Sequence, residues 1–105
     1  MRLRNIPNAN IKLAQNERDF VANPAYYKGR WHELFKNNNP IHIEIGMGKG
    51  QFVIGMAQKN PHLNFIGIEK FDSVIARALE KIPEDIPNLK MIRMDALEIN
   101  EVFDR

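Results

Sequence analysis

The stretch Ile41–Gly50, IHIEIGMGKG, limits what this chain can fold into more than any other part of it. An apolar alternation ends in an acid and three glycines and runs at once into QFVIGMAQK, a helix-compatible sequence. A strand that turns sharply into a helix through a backbone bare of side chains opens a parallel βαβ unit, and a small ligand can lie against such a turn. A second apolar run, LNFIGIE, closes on Glu69, where an acid can receive the hydroxyls of a ribose.

From Ile41 onward the pattern predicts a strand over 41–45, a helix over 50–59, a break at Asn60-Pro61, a strand over 63–69, a helix over 72–82, a break at Pro83 and a strand over 89–94. The later helix puts Val74, Ile75, Ala78, Leu79 and Ile82 on one stripe and leaves Arg77, Glu80 and Lys81 to water. Two βαβ units then share the middle strand, and right-handed crossovers set the three strands in the order 3-2-1. The expected fold is α/β, a doubly wound and mostly parallel sheet. Its first strand would remain an exposed apolar edge, so the chain reads as the front half of a longer domain.

The first forty residues differ in character. Residues 1–19 carry little periodicity and read as an arm with a short helix near Ile11–Glu17. From Asn23-Pro24, Tyr27, Trp31, Leu34 and Phe35 recur at helical spacing and predict one helix packed on the sheet, ended by Asn37–Pro40. Base stacking by Trp31 or a Tyr is the alternative use of those rings. Residues 1–40 hold seven Lys and Arg against three acids, whereas 41–105 hold eight against ten. A basic, aromatic-bearing front suits phosphates, and an acidic remainder suits a cationic or hydroxyl-rich ligand. The chain therefore divides into a basic N-terminal arm and helix, 1–40, and a cofactor-binding βαβαβ half, 41–105.

Several classes drop out. With 44% hydrophobic and 27% charged residues the chain is globular. No apolar run approaches the roughly 20 residues of a membrane span, and the first residues have no signal-peptide core, so a soluble, cytoplasmic protein is expected. The absence of cysteine excludes disulfides, thiol nucleophiles and cysteine-ligated zinc. His32, His42 and His62 lack ligand spacing, and no metal is expected.

The loop Glu44-Ile45-Gly46-Met47-Gly48-Lys49-Gly50 is spaced G-x-G-x-G, unlike the G-x-G-x-x-G of dinucleotide sites, and leans away from NAD. A phosphate-binding P-loop fails because Gly50 follows Gly48-Lys49 where Ser or Thr is needed, and Ile43 stands in place of the first glycine. Glu44 would repel a pyrophosphate but suits an ammonium or sulfonium group; S-adenosyl-L-methionine has both. Glu69 fits the ribose of either NAD or S-adenosylmethionine. Asp95, ending the third strand, can accept from an exocyclic amine. Three acids at three successive strand ends, with the glycines, mark Glu44, Gly46, Gly48, Gly50, Glu69 and Asp95 as candidate cofactor-binding residues. No catalytic constellation is visible, and methyl transfer from a sulfonium needs mainly proximity and orientation.

The segment NPAYYKGRWHELFKNNNPIHIEIGMGKGQFVIGMAQKNPHLNFIGIEKFDSVIARALEK closely resembles the front half of bacterial tRNA (guanine-N7)-methyltransferases, and the likeness extends more weakly over Met1–Arg105. It includes the Tyr-Tyr-Lys-Gly-Arg-Trp segment and the Asn-Pro-Ile-His-Ile-Glu-Ile-Gly lead-in. The resemblance implies a Rossmann-like class I methyltransferase fold that uses S-adenosyl-L-methionine to methylate N7 of the variable-loop guanine of tRNA. It places the family's cofactor-contacting acids on Glu44, Glu69 and, allowing one residue fewer in the preceding loop, Asp95, and its glycine loop on Gly46, Gly48 and Gly50. The family's later Asp-Pro-Trp-Pro-Lys-Lys-Arg-His-like segment and its Asp- and Thr-rich substrate motifs are absent. No catalytic residue carries over, and the isolated chain is expected to be inactive. Two other readings stay open: a different class I methyltransferase or NAD-type enzyme, and a noncatalytic RNA-binding module. Charge reversal at Arg2, Arg4 and Lys12 should weaken tRNA binding and flatten its salt dependence; an unchanged slope of affinity against salt would make the arm a bystander.

Overall fold

In the computed structural model, which describes residues 8–82 and 84–104, helix α1 (Ala9–Gln15) leads into a two-residue strand, β1 (Phe20–Val21), a 3-10 turn (Pro24–Tyr27) and α2 (Trp31–Phe35). There follow β2 (Ile41–Ile45), α3 (Gln51–Lys59), β3 (Asn64–Glu69), α4 (Asp72–Glu80), β4 (Leu89–Arg93), a second 3-10 turn (Ala96–Glu98) and α5 (Ile99–Val102). Arg2, Arg4 and the expected break at Pro83 lie outside the described residues.

All pairings are parallel, in the order β1-β4-β3-β2. The three expected strands take their expected order. What the sequence reading lacked is β1, whose two residues are too few to display an alternation. Handedness explains the layers. The steps β2 to β3 and β3 to β4 run the same way along the sheet, so α3 and α4 cover one face. The step from β1 to β2 runs the other way and carries α2 to the opposite face. Each face has its own core, one with Leu13, Val53, Ile75, Leu79, Leu89 and Met91, the other with Trp31, Phe35, Ile66, Ile68, Ile92 and Val102. β3 is buried on both faces, as its near-continuous apolar run requires, whereas β2 pairs only with β3 and leaves Ile43 and Ile45 exposed.

The single helix expected from Asn23-Pro24 is broken in the structure. Gly29 takes φ +74, Arg30 N donates to Tyr27 O at 2.7 Å, and the helix restarts as α2. The aromatic stripe survives the break. Tyr27 lies 5.4 Å from Trp31, which stacks on Phe103 at 5.4 Å and donates its indole N–H to Val102 O at 3.0 Å. Trp31 is only 4% exposed and is core. In α4 the buried residues are Ile75, Ala76, Ala78 and Leu79, with Val74 half-buried at the rim.

β1 is fastened by its approach. Asp19 N donates to Asn16 Oδ1 at 2.9 Å, Asp19 O accepts from Met91 N at 2.8 Å, and the buried carboxylate pairs with Arg18 at 2.9 Å. At the amino end of the sheet the asparagines close the backbone. The Asn88 side-chain amide serves the carbonyls of Ala57, Asn60 and Leu63 at 2.9, 3.1 and 2.9 Å, two of them at the frayed end of α3, and Asn64 Nδ2 reaches Asn37 Oδ1 at 2.8 Å. The Asn-rich run that reads as a helix breaker thus also joins β2 to β3. Replacing Asn88 with Ala should lower stability by about 1–3 kcal/mol, because the two amide hydrogens shared among three carbonyls are lost and only Ala57 O and Asn60 O keep a backbone donor among the described residues; urea unfolding followed by Trp31 fluorescence measures it, and an unchanged midpoint would mean that water substitutes for the amide.

Candidate functional site

Parallel strands end together, so the carboxyl ends of β2, β3 and β4 form one edge of the sheet. Register fixes how the acids stand along it. Glu44 pairs with Gly67, two residues before Glu69; Glu69 pairs with Arg93, two residues before Asp95. All three acids share the parity that faces α3 and α4. They form a staircase that rises by two residues, roughly 7 Å, at each strand.

The glycine loop starts one step from Glu44. Gly46, Gly48 and Gly50 all have positive φ, at 68, 57 and 77°, conformations in which an L side chain is strained. Their surroundings differ. A Cβ on Gly46 or Gly48 would meet nothing within 4 Å, whereas one on Gly50 would lie 3.1 Å from Ala78 Cβ and 3.2 Å from Met91 Cε. Gly46 and Gly48 thus leave bare backbone open to a ligand, and Gly50 packs the start of α3 against α4 and β4.

Glu69 ties the loop to the sheet. Its Oε1 accepts from Gly48 N at 3.3 Å and its Oε2 from Lys70 N at 3.1 Å, which leaves lone pairs on both oxygens for further donors. Met47 N adds a bond to Ile68 O at 3.0 Å. The Met47 side chain then folds over β3 at Gly67, where any Cβ would run into its sulfur. Gly67 and Met47 were not among the candidates from sequence, although a glycine inside a strand signals a close approach of this kind.

Glu44 is the unsatisfied member. Its Oε1 is buried with no hydrogen-bond partner among the described residues, and desolvation holds its pKa above the ordinary carboxylate value. The sign follows: the folded state binds this proton more tightly than the unfolded one, so Glu44 costs stability as pH rises through the window between the two pKa values. Asp95 caps the second 3-10 turn, with Oδ1 accepting from Leu97 N at 3.0 Å, while its N–H donates to Glu98 Oε1 at 3.4 Å. Its Oδ2 takes no part in either bond. Beside these acids the same edge carries large apolar side chains that water does not favour, among them Phe71, 43% exposed, and Leu97, 92% exposed. Neither stood out in the sequence, where each is one more apolar residue next to a turn.

A cleft of about 350 Å³ opens elsewhere, between α2, Ile41, Ile43 and Phe103, and its lining contains none of Glu44, Gly46, Gly48, Glu69 and Asp95. No group of three His, Asp or Glu among the described residues could hold a metal ion, and no helix among them is long and apolar enough to cross a membrane.

Comparison with known proteins gives three kinds of likeness. A tRNA (guanine-N(7)-)-methyltransferase of Lachnoclostridium phytofermentans is 55% identical over 98% of this chain and 48% of its own length, and the protein of that name from Bacillus subtilis is 49% identical over 99% of this chain and 49% of its own. The chain spans about half the length of the curated relatives it matches. Among solved structures, a glycopeptide N-methyltransferase, MtfA, complexed with sinefungin, aligns with 86% of this chain and 41% of its own at a TM-score of 0.44 and 18% identity, too distant to bear on the site. The model of the family described as "Putative methyltransferase" matches residues 38–104, from the lead-in of β2 through the glycine loop and the three strand ends to the residues after α5. By that match, over more than half of its length, the chain belongs to this methyltransferase family.

Proposed function

We propose that this chain is the cofactor half of an enzyme that transfers the methyl group of S-adenosyl-L-methionine to N7 of the variable-loop guanine of tRNA. The observation that carries the reading is Glu44: a buried, unpartnered carboxylate oxygen directly below a bare glycine loop fits a ligand bearing ammonium and sulfonium charge and opposes a pyrophosphate. The staircase of acids suits an elongated ligand whose ends differ in chemistry. In this reading Glu44, with the open backbone of Gly46 and Gly48, holds the amino-acid end. Glu69 receives the ribose hydroxyls without releasing Gly48 N, and Asp95 Oδ2 accepts from the adenine amine. Phe71 and Leu97 supply apolar surface for the base, and Gly50 supports the loop from beneath.

The bound cofactor supplies an electrophilic methyl carbon; this half of the enzyme orients it and shields the charges around it. Residues 41–105 form the cofactor half and residues 1–40 the RNA-facing part, which β1 nevertheless joins to the sheet. The names of the relatives support tRNA as the substrate class, and the basic balance of the first forty residues agrees with it. Guanine N7 attacks the methyl carbon through its ring lone pair and the positive charge passes from the sulfonium to the methylated base, so the transfer releases no proton; the guanine pocket is assigned to the part of the relatives' length that this chain does not span. A soluble, cytoplasmic setting is consistent with such a substrate.

The test is methyl transfer from labelled S-adenosylmethionine to unmodified tRNA by the full-length protein, with N7-methylguanine identified after nuclease digestion; product at another base, or transfer to no RNA, would overturn the reading. For the cofactor site, affinity for S-adenosylmethionine should fall as pH drops through the raised Glu44 pKa, because protonation removes the charge that faces the cation. Glu44→Gln should lower affinity about 10- to 100-fold and abolish that pH dependence. Titration calorimetry across a pH series reads both, and wild-type behaviour of the variant would take Glu44 out of the site.

A further inference from the structure

The Tyr26-Tyr27-Lys28-Gly29-Arg30-Trp31 segment has no part in the cofactor site, and the structure divides its rings sharply. Trp31 and Phe35 are core, and the half-buried Tyr27 and Phe103 pack against them. Tyr26 ends that ladder at the surface: it meets Tyr27 edge-on, with centroids 5.1 Å apart and planes at 88°, and is 53% exposed. The Arg30 guanidinium lies over the Tyr26 ring, 4.5 Å from its centroid. Lys28 and Arg30 are exposed, and neither is in an ion pair among the described residues. A tyrosine ring braced edge-on by the half-buried Tyr27, bearing a cation on one face and flanked by a second exposed cation, has the parts of a nucleotide-stacking step.

Its position in the fold fits that use. The 3-10 turn carrying Tyr26 starts three residues after β1 ends, so it stands at the carboxyl edge of the sheet, the edge that holds the glycine loop, Glu69 and Asp95. It packs on α5, the helix that follows Asp95 by way of the second 3-10 turn, and the Trp31 bond to Val102 O joins the neighbouring α2 to the same helix. β1 and β2 lie at opposite ends of the sheet, three strand spacings or about 14 Å apart. A strand of RNA laid along this edge can rest on Tyr26 while a nearby nucleotide reaches the cofactor side.

We propose that Tyr26 and Arg30 form a stacking platform for an unpaired base of the RNA substrate, with Lys28 on an adjacent phosphate. This rests on the reading of tRNA as substrate. The platform recognises the π-face of a base and is indifferent to its hydrogen-bonding edge, so it positions RNA without selecting sequence. Tyr26 is accordingly a positioning residue.

The test is fluorescence anisotropy of labelled, unmodified tRNA with the full-length protein over a salt series. Tyr26→Ala should weaken binding about 5- to 100-fold with the slope of affinity against salt unchanged, since no charge is lost; Tyr26→Phe should stay within about twofold of wild type, and Tyr26→Leu should behave like Tyr26→Ala. Lys28→Ala should reduce the salt slope by about one. Wild-type tRNA affinity in Tyr26→Ala would overturn the platform while leaving the substrate reading intact. A loss of S-adenosylmethionine binding or of thermal stability equal to the loss of tRNA binding would assign Tyr26 a structural role and overturn it too. Failure of the wild-type protein to bind tRNA at all would sink both readings, and so separates the two failures.

Discussion

Everything at the candidate site depends on the hydrogen-bonded ladders that β3 makes with β2 on one side and β4 on the other. β3 is buried on both faces, and its backbone groups have no water to turn to, so their pairing with the flanking strands is obligatory. A one-residue slip would turn every side chain of a strand to the wrong core, which makes the register as fixed as the burial. That register places Glu44, Glu69 and Asp95 at successive levels on one face. Their alignment is a by-product of packing Phe65, Ile66 and Ile68.

The glycine loop depends on the same strand through two contacts of different kinds. Glu69 holds Gly48 N from the end of β3, and Met47 lies over β3 where Gly67 leaves space. The charge-assisted bond is directional and the methionine contact is steric; together they set both the height and the tilt of the loop. The three glycines, which look alike in the sequence, therefore do different things. Two expose backbone, and the third lets α3 approach α4 and β4 closely. Glu44 precedes the loop with an oxygen that nothing among the described residues satisfies.

Legibility in the sequence followed the range of the interactions concerned. The strands near 41–45, 64–69 and 89–93, the two crossover helices and the sharp turn rest on periodicity and glycine spacing within ten or so residues, and they were readable to within two residues. The broken front helix was not, because Tyr27, Trp31 and Phe35 keep helical spacing across a turn at Gly29 that a Cβ would crowd against Asp104. β1 was hidden for the opposite reason: Phe20 and Val21 have no local pattern and become a strand only because β4 offers an open edge to pair with.

By itself, the sequence determined the element order, the parallel sheet and the residue types at its carboxyl edge, since local periodicity, turn chemistry and crossover handedness suffice for those. Tertiary structure alone decided which of these residues share a face and at what height, which of the glycines is open, which of the rings in Tyr26–Trp31 is core and which is surface, and that one Glu44 oxygen finds no partner among the described residues. These are matters of register and packing between segments tens of residues apart. They depend on what each side chain meets, and no local pattern in the chain records that.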